Sequence, residues 1–445
     1  METKEKKNEK LAQSITLKAL IIGVLTLALL IPSIMIQNLI WERKDRSKET
    51  IEKINDKWSQ AQILCAPILS IPYTTSYMNT NEKIVYEDHV LNITPETLNI
   101  DTKLYPEEKH YGIYKTILYK SDIVMNGQFD AIHRKNLPNS TIHWDKAYIR
   151  VGISDLRGVT NNLDFVLNGK AYTAAAGSSN DWFIGKELIV NLDDAEALNS
   201  EETLTFNCTI NLNGSSSINF IPIGKTTKVH ISGAWKDPGY IGNFSPDHTI
   251  NEDGFDANWS VLRFNRSIPE SWVDSKVEAF ADTSFGVNLV NTVDHYQQNM
   301  RSAKYAIMFI GLTFVIFFFV EILTRKRIHP IQYLLVGIAL ILFYSLLLSL
   351  SEQISFAWAY CVASVATIGL ITLYTKSIFK SWKQTAILTF TLCLLYIFLY
   401  VVLQLEDVAL LIGSIGLFII LAVIMYFSRK ISWYRQEEIS EKESL

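Results

Sequence analysis

Between residues 303 and 427 the chain is charged almost nowhere except in four short connections, and this constrains the fold more than any other feature. Five apolar stretches, 303–323, 331–350, 354–374, 385–405 and 408–427, each run for about 20 residues, enough for an α-helix to cross a hydrocarbon core of about 30 Å. A sixth, 19–40 (ALIIGVLTLALLIPSIMIQNLI), holds no charged residue and reaches about 33 Å as a helix. Its basic approach (Lys4, Lys6, Lys7, Lys10, Lys18) resembles the start of a secretory signal. The apolar run is too long for a signal core, however, and no small-x-small site precedes Trp41, so it reads as an uncleaved anchor. Pro32 predicts a kink inside it.

The connections alternate in sign. TRKRIHP (324–330), TKSIFKSWKQ (375–384) and the Arg429-Lys430 start of the tail are basic, whereas SEQ (351–353) and LED (405–407) are acidic. Short basic loops stay in the cytoplasm, which places both chain ends inside and makes Arg325, Lys326 and Arg327 a topological lock that also suits anionic lipid headgroups. The resulting division is a cytoplasmic 1–18, a membrane helix 19–40, a periplasmic 41–302, a five-helix bundle 303–427 and a cytoplasmic tail 428–445. Arg43, Lys44, Arg46 and Lys48 stand on the wrong side of the first span for this rule. Acids interleave with them, and long domains translocate largely regardless of charge.

A charged fraction of 19% beside 49% hydrophobic residues requires a sizeable polar domain as well as the spans. Segments such as HVLNITPETLNIDTKLY (89–105), KAYIRVGIS (146–154), ETLTFNCTINL (202–212) and TKVHISGAW (227–235) alternate apolar with polar residues between Asn-Gly, Gly-Ser and Asp-Pro turn signals. The expected fold is an α+β membrane protein, with an all-β, antiparallel, sandwich-like periplasmic domain inserted between one N-terminal membrane helix and the five-helix bundle. Residues 44–62 extend the first span as an amphipathic helix. Residues 293–306, capped near Asp294, form a helix running straight into the second span.

The net charge of −4 offers no clustered basic surface for nucleic acid. Cys65 and Cys208 fall in the outer stretch, where an oxidising compartment permits a disulfide, and pairing and separate burial both stand open; Cys361 and Cys393 fall in spans as packing residues. His133, His143 and Asp145 share a segment, but their spacing matches no metal-ligand pattern, and no cofactor is expected. The densest constellation is 233–272, with Trp235, Tyr240, Phe244 and Trp259 beside Asp237, Asp247, Asp253 and Asp256. Aromatics rimmed by acids suit a glycan surface, of which Trp235, Tyr240, Phe244, Asp247 and Trp259 are the candidate residues. Aromatics in a connection between strands also serve as core plugs. In the bundle, Ser345, Ser349 and Glu352 fall at helical spacing on one face expected to point inward, and Glu321 stands four residues before Arg325. No span carries a charge at its centre, which disfavours ion-coupled transport.

The blocks IWERKDR (40–46), APILSIPY (66–73), ISDLRGV (153–159), GYIGNFSP (239–246), GFDANWSV (254–261) and above all 304–352 resemble the CreD family of bacterial inner membrane proteins over essentially the whole chain. That resemblance implies a non-enzymatic role in envelope homeostasis and envelope stress, in some bacteria under the CreBC two-component system, with links to colicin tolerance and β-lactam response. It brings no catalytic residues. The expected partners are the lipid bilayer and an envelope or membrane protein; the alternative reading is a sensor that passes ectodomain binding to a partner.

Overall fold

The computed structural model describes residues 15–78, 81–130, 140–177, 186–193, 198, 202–274, 280–289, 295–324, 328–405 and 409–429. The chain divides into two compact units, Met1–Arg46 with Val293–Leu445, and Ser47–Thr292.

In the first unit, helix α1 (Ile15–Ala28) is followed across Leu29 by α2 (Leu30–Trp58). Pro32 has no N–H to give the carbonyl of Ala28, so the ladder breaks at that point. Leu29 still donates to Leu25 and Ser33 to Leu29, and the helix resumes within a turn. Helices α3 (His295–Lys304) and α4 (Ala306–Thr324) are bent by 44° rather than straight as expected. The cause is local: Tyr305 N donates to Ser302 O at 3.1 Å, an i→i−3 bond that tightens the turn between them.

Three long apolar helices follow, α5 (Pro330–Ser351), α6 (Phe356–Phe379) and α7 (Trp382–Gln404), and then α8 (Ala409–Ser428). Among the described residues, four helices are long and apolar enough to cross a membrane, or five with the bent pair counted as one; Leu411–Tyr426 is apolar but shorter. The five full spans expected after residue 300 therefore reduce to three, a bent pair and this shorter helix. Aromatic rings fill the interior of the unit, with Phe309 and Phe343 edge-on to Tyr396 at 4.6 and 4.9 Å. Leu370, Leu373, Phe390 and Leu394 are exposed on the outer faces, as lipid contact requires.

Two polar clusters tie the N-terminal helices to this bundle. Glu321 on α4 is buried and accepts from Lys18 Nζ, from Tyr333 Oη at 2.9 Å and from Ile328 N at 3.0 Å. Glu352, just past α5, receives both Arg43 Nε at 2.9 Å and an Arg43 Nη at 2.5 Å, with Tyr296 Oη at 3.2 Å. Beside it, Asn299 Nδ2 donates to Ser351 Oγ at 2.7 Å.

The second unit is built from strands β1 (Gln62–Met78), β2 (Ile84–Ile93), β3 (Thr97–Tyr111), β4 (Tyr114–Phe129), β5 (Ser140–Ile142), β6 (Tyr148–Ile153), β7 (Asp164–Leu167), β8 (Lys170–Gly177) and β9 (Glu187–Asn191). The series continues with β10 (Leu204–Ser215), β11 (Ser217–Ile221), β12 (Thr226–Gly233), β13 (Gly239–Gly242), β14 (Asp247–Asn251), β15 (Gly254–Leu262), β16 (Ser271–Val273) and β17 (Phe285–Asn288). One network runs β14-β15-β12-β3-β4-β10-β7-β8, and a second, centred on β1, holds β2, β5, β6 and β11. Strand β8 joins them by also pairing with β9, which pairs in turn with β6.

The sheet is mixed, which corrects the antiparallel expectation: β1 runs parallel to β11 and β3 parallel to β12. Parallel neighbours are joined by long crossovers, so local turn signals do not reveal them. Inward residues of both networks, among them Leu69, Ile100, Met125, Ile149, Ile210 and Val229, form one buried cluster. Cys65 and Cys208 lie in it as free, buried thiols, each pushed up in pKa by burial, and no disulfide joins them.

The end of α2 is knotted to the strands by the turn after β6. Asp155 is buried and accepts from Gln60 N at 3.1 Å, Arg157 N at 3.1 Å and an Arg157 Nη at 2.8 Å, while Arg157 also donates to Asp56 O at 2.7 Å. Burial opposes ionisation of Asp155, yet the guanidinium and the two backbone donors outweigh it and hold the carboxyl well below the usual range. Gly158 is required here, since a Cβ would come within 2.2 Å of Asn213 O.

Candidate functional site

Strand alternation decides which side chains leave the core. In β12 (TTKVHISG), Val229 and Ile231 point inward, so Lys228 and His230 emerge on the opposite face. The same rule exposes Asn99 and Asp101 on β3, Asn126 on β4, Asn207 on β10 and Asn258 and Ser260 on β15. Register then aligns them. Ser260, Lys228, Asn99, Asn126 and Asn207 form one row across five strands, and Asp247, Asn258, His230 and Asp101 form the next.

All of these except Asn207 line a groove of about 430 Å³. His230 is its fixed point. Its Nδ1 lies 2.7 Å from Asp101 Oδ1 and its Nε2 2.7 Å from Asp256 Oδ2, while Asn258 Nδ2 donates to Asp256 Oδ1 at 2.9 Å. Partial burial alone would lower the imidazole pKa, but the two carboxylates outweigh it and raise it. With each ring nitrogen held by a carboxylate, the ring is committed to Asp101 and Asp256 and organises the groove. Asn99, Lys228, Asp247 and Ser260 are exposed, and among the described residues their side chains have no hydrogen-bond partner. The groove therefore offers amide, hydroxyl, ammonium and carboxylate groups to a ligand.

Of the aromatic candidates only Trp259 adjoins the groove, and all four pack against the core. Trp259 is 3% exposed and donates Nε1–H to Phe244 O at 3.0 Å. Tyr240 meets it edge-on at 6.0 Å, Phe244 packs edge-on against Phe285 at 5.4 Å, and Trp235, Tyr240 and Phe244 are half-buried against the core. Within the segment β14 and β15 form a hairpin and β13 pairs with β17, and alternation in GFDANWSVL turns Phe255 and Trp259 inward. Its turn needs Gly254, whose φ of +149° suits glycine and where a Cβ would meet Gly233 O at 2.2 Å. Of the five surface candidates Asp247 and Trp259 line the groove, Asp247 exposed and Trp259 buried in its wall; Asp237 and Asp253 are exposed elsewhere on the segment.

In the membrane unit, Ser345 is half-buried and Ser349 exposed, while the Glu352 carboxylate is buried by Arg43. The inward stripe of α5 runs through Tyr333, Gly337, Leu340, Tyr344, Leu347 and Ser351, so Ser345 and Ser349 fall beside it and the buried serine is Ser351. Arg325, Lys326 and Arg327 lie outside the described residues, as do His133 and Asp294. His329 caps α5, accepting from Ile331 N at 3.3 Å, and Pro330 opens the helix. His143 shares a hydrogen bond of 2.8 Å with Thr74.

Sequence reading missed Asn99, Asp101, Lys228 and His230. Alternation in NITPETLNIDTK and TKVHISG marks each as outward, but the parallel pairing of strands 129 residues apart is what makes them neighbours.

Residues 14–434 match the sequence model of the family described as Inner membrane protein CreD. The chain is 32% identical over 415 residues to Inner membrane protein CreD of Escherichia coli (strain K12), which covers 92% of this chain and 91% of that relative.

Proposed function

Since the chain belongs to the CreD family of inner membrane proteins, we propose that it supports envelope integrity and tolerance of envelope stress through a periplasmic domain that binds an envelope component and performs no catalysis. The carrying observation is the polar groove: four free side chains surround a histidine with both ring nitrogens committed to carboxylates, an arrangement suited to holding a ligand. The alternating loop charges support cytoplasmic termini, a periplasmic 41–302 and six crossings, with Arg325, Lys326 and Arg327 as the lock that also holds lipid headgroups.

The test is a deletion strain carrying full-length reporter fusions. Loss of the chain is expected to sensitise cells to detergent, envelope antibiotics and osmotic shock, with reporters in 41–302 active outside and those in 376–383 active inside. Unchanged sensitivity, or a cytoplasmic 41–302, would defeat the reading.

A sensor role, in which the bound domain acts on a partner protein, is favoured by one observation: helix α2 contributes residues to both units, and its end is knotted by Asp155 and Arg157.

A further inference from the structure

We propose that the outward face of β15, β12, β3, β4 and β10 binds a neutral, polyhydroxylated glycan strand laid across the β-strands, an assignment that rests on the binding role proposed above. Neighbouring strands stand about 4.8 Å apart, so a chain crossing them meets a new side chain at each step. The row Ser260, Lys228, Asn99, Asn126 and Asn207 presents a polar group at every one of its five positions. The adjoining row presents Asn258, His230, Asp101 and Thr209, with Val124 its one apolar member.

Amides and hydroxyls each donate and accept, which is what sugar hydroxyl and acetamido groups require. Three alternatives fit less well. A polyanion would face Asp101, Asp247 and Asp256 with Lys228 as the free cation of the groove among the described residues, because His230 is already held by two of those acids. A polycation would meet Lys228 within the first row, between Ser260 and Asn99. Peptides are taken up by sheet edges or apolar pockets, whereas this is the polar face of strands paired on both sides.

The experiment titrates full-length protein in lipid nanodiscs with a tetramer of N-acetylglucosamine, with heparin and polylysine as the charged comparisons. The wild-type chain is compared with the triple variant Asn99→Ala, Lys228→Ala, Ser260→Ala. Saturable binding of the tetramer is expected, weakened about tenfold or more in the variant as several hydrogen bonds are lost. The melting temperature should not change, because all three side chains are exposed. Absence of saturable tetramer binding, equal binding by the variant, or preference for heparin or polylysine would overturn the assignment. The same chains are expressed in the deletion strain and scored for restoring it: a chain that restores tolerance without binding the tetramer removes only the ligand class, whereas a deletion without phenotype removes the envelope role itself.

Discussion

The imidazole of His230, held between Asp101 and Asp256, has a pKa raised above the ordinary 6.5. A group whose folded pKa is raised contributes stability that is full below its unfolded pKa and is lost as pH rises through the folded one. His230→Gln is therefore expected to lower the melting temperature most at about pH 5 and to approach wild type near about pH 9. A gap that does not change with pH in thermal scans would show that the ring is packed but uncharged. The outward position of His230 was legible in TKVHISG, since alternation alone sets it. Its partners were not, because Asp101 stands 129 residues away on a parallel strand. Trp259 shows the opposite lesson: alternation in GFDANWSVL already points it inward beside Phe255, and it looks like a binding platform only while the segment is taken for a loop.

At the scale of elements, apolar length announces the membrane helices and Pro32 announces the break between α1 and α2, both consequences of local chemistry. The packing between helices was less legible. Ser345, Ser349 and Glu352 share a spacing, yet the burial stripe of α5 selects Ser351, and the Glu352 carboxylate is satisfied by Arg43 on α2, 309 residues away. The same holds for Glu321, bonded to Lys18 from α1. Arg43→Ala strands a buried carboxylate and is expected to destabilise the full-length protein in detergent by up to about 3 kcal/mol, below the figure for a fully buried pair because the Arg43 side chain keeps 34% exposure. Glu352→Gln in the Arg43→Ala background should recover part of that loss. Unfolding by heat or denaturing detergent measures both, and an Arg43→Ala protein as stable as wild type would show that the Arg43–Glu352 cluster does not hold α2.

For the whole molecule, the division into a membrane unit and a strand-rich unit follows from where charge is absent, and one sequence suffices to see it. The mixed topology of the sheet does not follow, because crossover pairings such as β1 with β11 are decided by the collapsed core and not by neighbouring turns. The proposed function of the whole molecule is service to the envelope through the polar face of the sheet, by a chain held in the membrane. Cells lacking the chain and supplied with the full-length Asn99→Ala, Lys228→Ala, Ser260→Ala variant at wild-type membrane level test it most directly, by survival in detergent. Survival is expected to stay at the level of the deletion strain, and survival restored to that given by the wild-type chain would contradict the proposed function.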